Sequence, residues 1–396
     1  VSAIKYRELK QMYESYGPER TVKHLREALG AGHLKAEDFS LRELAEATVG
    51  AEWVKRMDPR GGGVRLLEAG DAVDVTAFSN ITGQIVYSRL LEAYLQEAFV
   101  VSKLVSTIPT RFDGEKIPGI GRIGDKAAEV SPGMPYPSVG LSEDYIETPS
   151  TTKHGFIVPV TREAIFFDRT HLILKRAAEV GEFLGLNKEK RLLDVVLGAV
   201  NNYKWKGRAY NTYYGPGDGG PWVNVLDDEL VDWTDIDAAE QLFADILDPS
   251  TGEPVLIQPN TVLVMPAYRH AANRVLKATE IIYSSTATAD GHTMTTAPNP
   301  MGPYQVAESR LAYRRIIAAG NDPAAAKRWW LLADFAKAFA YMENWPITVT
   351  QAPSNSEAEF NQDIVLRFKA SERGAAAVID PRYVVKSTGT QSGSGQ

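Results

Sequence analysis

Along the first eighty residues, apolar positions recur three and four apart in short blocks. Tyr6 to Tyr16 is one block. A second opens at Gly17-Pro18, carries Val22, Leu25 and Leu29 on one face, and stops at Gly30 and Gly32. Proline just inside the start and glycine just past the end are the punctuation helices favour. Ser40-Leu-Arg-Glu43 has the spacing of a capping box and opens a third helix, with Leu41, Leu44 and Ala45 as its stripe and Gly50 as its stop. Asp58-Pro-Arg-Gly-Gly-Gly63 reads as a linker. Helices this short are unstable alone, so they are expected to dock on something or stay mobile.

Further on, Ile85, Leu90, Leu91, Tyr94, Leu95 and Ala98 predict a longer helix over 82–102. Residues 144–160 alternate in a strand-like way. A second long helix is predicted from Asp168 to about Val200, weakened in its middle by Gly181 and Gly185. Residues 201–235 read as a loop rich in Tyr, Trp and Gly, after which Asp235 caps a helix to Leu247. Thr261 to Met265 predicts a buried strand, and Pro266 opens a helix to Ala278. Residues 279–303 are polar. Trp329–Ala333, Ile347–Thr350, Ile364–Phe368 and Ala375–Ile379 predict strands, the last two joined through Arg373-Gly374. Residues 387–396 read as a disordered tail. Helices and strands do not strictly alternate, so the fold class is α+β.

The chain has 396 residues, enough for two or three packed units. Its formal net charge of −7 argues against a dedicated nucleic-acid binder, which would show a basic balance or stripe. It contains no cysteine, which removes disulfides and thiolate metal sites. No apolar run reaches a membrane-spanning length, and no signal peptide is expected.

Candidate chemistry is sparse. Gly119, Gly121 and Gly124 match G-x-G-x-x-G. A working fingerprint follows a buried strand and opens a helix. Here Phe-Asp-Gly-Glu-Lys-Ile-Pro precedes it and Pro132-Gly133 follows soon after. The six histidines lack paired metal-binding spacing, and no G-x-S-x-G or P-loop occurs. Asp227, Asp228, Glu229, Asp232, Asp235 and Asp237 form an acidic cluster, read as a solvated loop with a cation site as the alternative. Arg310, Arg314, Arg315, Lys327 and Arg328 read as interface or solvated charges. Tyr203, Trp205, Tyr210, Tyr213, Tyr214 and Trp222 read as core or interface. No catalytic, cofactor or metal residue is assigned.

The stretch from Gly114 to Gly140 holds six glycines and four prolines. It is too long and too poor in helix signals for an ordinary connection. Folded back as a hairpin over 113–160, arms of about fifteen residues would span roughly 50 Å, against a radius of gyration near roughly 20 Å for a compact domain of this size. Such a hairpin is expected to project and to bury Ile117, Ile120, Ile123, Val130, Met134, Tyr136 and Val139 on neighbouring copies. These seven residues are the expected inter-subunit contacts. An intrachain lid over an active site is the alternative.

This order of parts resembles the major capsid proteins of tailed bacteriophages, the Hong Kong-ninety-seven-type fold. Asp363-Ile-Val-Leu-Arg-Phe-Lys-Ala-Ser-Glu-Arg-Gly-Ala-Ala-Ala-Val-Ile-Asp-Pro-Arg-Tyr-Val-Val is similar to that family's ending, and Pro259-Asn-Thr-Val-Leu-Val-Met-Pro266 to its axial region. The resemblance implies an N-terminal helical segment (1–80), an N-arm (81–112), an extended β-hairpin loop (113–160) and a peripheral domain with a spine helix (161–234). An axial domain (235–346), closing peripheral strands (347–386) and a disordered tail (387–396) complete it. It further implies a non-enzymatic subunit without cofactors, assembled in the host cytoplasm into pentamers and hexamers of an icosahedral virion shell around double-stranded DNA. Scaffold, portal and decoration proteins are implied partners; a membrane is not. Lys116 and Lys126 lie on the loop, where some family members form Lys–Asn cross-links, but nothing assigns that bond here. The alternatives are an encapsulin-type compartment shell and, further off, a nucleotide-dependent enzyme using Gly119 to Gly124.

Overall fold

The computed structural model describes residues 6–31, 33–34, 40–48, 69–120, 144–167, 172–288, 291–299, 304–352 and 364–389. The described helices are α1 (Tyr6–Tyr16), α2 (Pro18–Gly30), α3 (Leu41–Thr48), α4 (Ala69–Tyr94), α5 (Val101–Leu104), α6 (Arg162–Phe166), α7 (Leu172–Val196), α8 (Trp233–Asp245), α9 (Arg269–Lys277), α10 (Arg310–Ala318), α11 (Pro323–Ala326) and α12 (Phe335–Ala338). The strands are β1 (Ser106–Pro109), β2 (Lys116–Pro118), β3 (Tyr145–Glu147), β4 (Thr152–Thr161), β5 (Lys204–Trp205), β6 (Arg208–Ala209), β7 (Val225–Leu226), β8 (Thr261–Val264), β9 (Glu280–Thr288), β10 (Gly291–Pro298), β11 (Gln305–Glu308), β12 (Trp330–Ala333), β13 (Phe339–Gln351), β14 (Ile364–Val378) and β15 (Val384–Ser387). The chain divides into two compact units. One gathers Val1–Glu97, Lys153–Asn187 and Trp345–Arg373; the other gathers Ala98–Thr152, Lys188–Asn344 and Gly374–Gln396.

In the first unit the short N-terminal helices dock rather than stay free. Leu9, Leu25, Leu41, Leu44 and Ala45 pack with Phe78, Ile81, Ile85 and Val86 of α4 and with Val158, Val160, Ile173, Leu174 and Phe368. Each helix supplies one apolar stripe, and together they make a core that none could make alone. The helix predicted over 82–102 instead begins at Ala69 and ends at Tyr94. The boundary expected between residues 80 and 81 therefore lies inside α4. Gly181, which weakens α7 as a helix, permits a close crossing: a Cβ there would stand 2.2 Å from the Leu90 carbonyl oxygen. The buried Tyr94 hydroxyl donates to the Glu372 carboxylate at 2.5 Å.

The second unit is centred on a five-stranded sheet, order β11-β8-β12-β15-β7. β8 and β12 are antiparallel, with Trp330 opposite Val264 and Ala333 opposite Thr261. Both faces of these two strands are covered. Val262, Val264, Trp330 and Leu332 face one core, with Ile236 and Phe243 of α8 and Ala272 of α9. Leu263, Leu331 and Ala333 face the other, with Leu192 and Val196 of α7 and Ile316 of α10. Burial on both sides explains why Thr261–Met265 and Trp329–Ala333 read as unbroken apolar runs rather than as alternation. Pro266 opens a short 3-10 turn, Pro266–Tyr268, that runs into α9. Asp232, not Asp235, is the N-cap of α8; Asp235 completes the capping box from the third position.

Two expectations are corrected, and a stretch read only as polar proves to hold a ribbon. Residues 364–378 form one strand, not two joined by a turn at Arg373-Gly374. Gly374 is there for close approach: a Cβ would lie 2.5 Å from Tyr341 Cζ and 2.6 Å from the Met342 carbonyl oxygen. The polar stretch after residue 279 contains a two-stranded antiparallel ribbon, β9 with β10, whose Thr-rich composition suits strands. The disordered tail expected from 387 is corrected at its start, because Ser387 ends β15 fully buried and Gly389 packs against Arg328. Residues 390–396 lie outside the described residues.

Candidate assembly interface

The extended segment has a described root in the second unit. β2 and β3 pair antiparallel, with Lys116 opposite Glu147, Ile117 opposite Ile146 and Pro118 opposite Tyr145. β3 in turn pairs with β5, setting Ile146 against Trp205, and β5 pairs with β6. The chain therefore leaves at residue 120 and returns at residue 144 from adjacent strands, as a hairpin requires.

Gly119 is needed by this pairing. Its N–H donates to the Asp144 carbonyl at 3.0 Å, and a Cβ would fall 2.3 Å from the Asp144 carboxyl carbon. That carboxylate is turned inward because Trp205 Nε1 donates to it at 2.5 Å, with Lys206 Nζ at 3.7 Å. The first glycine of the G-x-G-x-x-G pattern thus serves strand pairing; Gly121 and Gly124 lie outside the described residues. A polar network closes the end of the root away from the departing segment. Thr148 N donates to the Glu115 carbonyl at 2.9 Å, Glu115 N to Thr148 Oγ1 at 2.8 Å, and Thr151 N to Asp113 Oδ1 at 2.7 Å. These bonds hold the backbone on either side of Pro149, which itself has no N–H to give to a ladder. The single strand predicted over 144–160 is therefore corrected to two, β3 and β4, separated at 148–151.

Of the seven expected contact residues, Ile117 and Ile120 are described. Ile117 packs partly buried against the unit's own core, and Ile120 is a member of that core at 7% exposure. The expectation that Ile120 serves a neighbouring copy is corrected: its side chain is already satisfied within its own chain. Ile123, Val130, Met134, Tyr136 and Val139 lie outside the described residues, as does Lys126. Lys116 lies over the Tyr145 ring at 4.2 Å and 3.9 Å from Glu147.

Other apolar side chains that sequence reading missed are exposed on each unit. Phe156 and Ile157 of β4, with Phe166, Phe167 and Phe183, stand out on the first. On the second, Ile246 and Val255 are paired by a backbone hydrogen bond of 3.2 Å and point inward. Leu247 and Pro254, bridged across the same hairpin, point outward with Leu256, which is 84% exposed. Pro254-Val-Leu-Ile257 is apolar throughout, so no alternation in the sequence marked which of these side chains would face outward.

The remaining candidates resolve into structural roles. The Arg315 guanidinium makes two bonds of 2.6 Å to the Asp194 carboxylate, an intrachain fork. Arg310 sits 3.7 Å from Glu308. In the acidic cluster, burial raises the Asp235 carboxyl above its ordinary range although the N–H groups of Asp232 and Val231 donate to it. Among the described residues, no group of three or more His, Asp or Glu is placed to hold a metal ion. The Tyr and Trp cluster is core: Tyr203, Tyr210 and Tyr214 pack around Trp222 with ring centroids 5.7–6.3 Å apart. A groove of about 370 Å³ in the first unit is lined by Arg26, Gln84, Tyr87 and Phe368 among others, with no nucleophile–base pair. Among the described residues no helix is long and apolar enough to cross a membrane.

No curated protein matches the sequence. Solved structures similar to the chain include the capsid of cyanophage P-SCSP1u, at 12% identity and a TM-score of 0.43 over 71% of this chain and 84% of that one. Mycobacterium phage Bobi is similar at 14% and 0.39, over 72% and 88%. A virus-like particle from Pyrococcus furiosus is similar at 9% and 0.42, over 76% and 97%. These likenesses are too loose to carry an assignment. The sequence itself matches the phage capsid protein family over residues 145–387, more than half of its length. On that match the chain belongs to the phage capsid protein family and is a structural major capsid protein, a component of the virion.

Proposed function

We propose that this chain is a non-enzymatic subunit that closes with copies of itself into an icosahedral shell around double-stranded DNA, with the segment 121–143 reaching neighbouring copies. The single observation that supports the reading is the hairpin root. A long glycine- and proline-rich segment leaves and returns through two paired strands, and those strands are tied by Gly119, Asp144 and Trp205 to the body of the unit. A segment emitted from a rigid base is suited to reach a surface beyond its own unit, where burial of each apolar side chain contributes on the order of 1.5–3 kcal/mol. The negative net charge fits a wall that should not grip packaged phosphate tightly. Scaffold, portal and decoration proteins are the partners such a shell would require.

The test replaces residues 121–143 by a short glycine-containing turn, which the adjacency of Gly119 and Asp144 permits. Sedimentation and negative-stain microscopy are expected to show closed shells for the full chain. The shortened chain is expected to give folded subunits or capsomers without shells. Normal shells from the shortened chain would refute the role of the segment, and a unit that no longer folds would mean that the segment belongs to the core.

A further inference from the structure

Arg382 occupies an unusual position. It is 2% exposed, in the 3-10 turn Pro381–Tyr383 that leads into β15. Its guanidinium reaches three separate stretches of chain. Nε and Nη2 donate to the two oxygens of Asp380 at 2.9 and 2.8 Å. Nη1 approaches Asp248 Oδ2 at 3.4 Å. Nη2 also donates to the backbone carbonyl of Ile120 at 2.8 Å. Asp248 is fully buried, and its other oxygen accepts the N–H groups of Ser250 and Thr251, so it holds the turn of the hairpin that carries Leu247 and Leu256.

From this we infer that Arg382 is a positioning residue for assembly: it fixes the backbone at Ile120, where the extended segment departs, to the C-terminal stretch and to the 248–253 turn. The geometry explains the choice of arginine. Its planar fork can hold a carboxylate with one edge and still direct donors elsewhere, whereas a lysine ammonium is a single point. It also explains why Ile120 is buried although the sequence around it reads as loop. Side chain and carbonyl are both engaged, so residue 120 behaves as a fixed post and not as part of the reaching segment. The position of the post matters because residues 121–143 join the unit through Ile120 at one end and Asp144 at the other. This inference rests on the reading of that segment as the reaching arm.

The test compares the full-length protein with Arg382→Lys and Arg382→Met. Arg382→Lys keeps a cation beside Asp380 but cannot serve the carboxylate pair and the Ile120 carbonyl together. It decides the matter if Arg382→Met fails to fold. Hydrogen exchange is read at the root amides of Gly119 and Thr148 and at Leu331 in the central sheet. Expected for Arg382→Lys is exchange roughly tenfold faster or more at the root with Leu331 unchanged, together with a loss of closed shells in micrographs. Unchanged root exchange, or equal acceleration at Leu331, would overturn the positioning role. A loosened root with normal shells would leave the anchor standing and remove its part in assembly. That outcome differs from failure of the arm itself, which the 121–143 replacement reports separately.

Discussion

Lys386 lies on β15 with its ammonium enclosed by the second unit. Nζ is 4.2 Å from the Tyr213 ring centroid and 4.9 Å from that of Trp329, and it reaches the Leu197 carbonyl, just past the end of α7, at 3.5 Å. Among the described residues no carboxylate pairs with it. The ring faces and the helix end favour the cation, but loss of water outweighs them and the group is pushed down from 10.5 to about 8. The folded state thus binds the proton less tightly than the unfolded chain does. Below about pH 8 both states are charged and the full penalty applies; above 10.5 neither is, and it vanishes. Stability therefore rises with pH between these values, because there the unfolded chain holds more protons. The displacement corresponds to about 3 kcal/mol at pH 7, of which about 2 kcal/mol is recovered by pH 9.5. The assay is urea unfolding of the unassembled chain from pH 7 to 9.5, with Lys386→Met as comparator. The scan stops there because burial holds the phenols of Tyr203 and Tyr213 above their ordinary range, which reverses the slope at higher pH. The variant is expected to be more stable at pH 7, and the difference should shrink as pH rises. A difference between the two proteins that stays constant across the range would refute the reasoning.

Two further outcomes follow from buried contacts. Glu189, 1% exposed on α7, accepts the N–H groups of Val101 at 2.7 Å and Ser102 at 2.8 Å; Glu189→Gln turns an amide donor toward one of them and is expected to cost about 1.5–3 kcal/mol in urea unfolding, with faster hydrogen exchange at those two amides. Gly374→Ala places a methyl against the Tyr341 ring and the Met342 carbonyl, and should lower stability by about 1–3 kcal/mol through overpacking; a thermal midpoint equal to the parent's would show that β13 yields without strain.

Local chemistry was legible wherever a residue's own neighbours along the chain decide its state. The helix Tyr6–Tyr16, the Pro18 start, the helix opening after Ser40 and the strand at Thr261 stand where periodicity and capping put them; Gly50, the expected stop of the third helix, lies outside the described residues. The glycine- and proline-rich stretch showed that 113–160 was no ordinary connection, and its strands pair as a hairpin at the root. Glycine was read less well. Gly119, Gly181 and Gly374 look like a phosphate motif, a helix weakness and a turn, yet each admits another backbone or side chain at close range. Ile120, Arg382 and Asp248 share that lesson from the polar side. Arg382 lies 134 residues from Asp248 and 262 from Ile120 along the chain, and only folding brings a loop carbonyl, an arginine and a turn carboxylate together. The sequence by itself determined element type where capping, proline or periodicity act within a few residues, as at Tyr6–Tyr16, Pro18 and Thr261–Val264; the extents of α4, β4 and β14 were set by what they pack against. Which glycines are contacts, which apolar side chains are core and which charged groups are anchors was decided only by tertiary structure, because close packing and desolvation depend on neighbours in space.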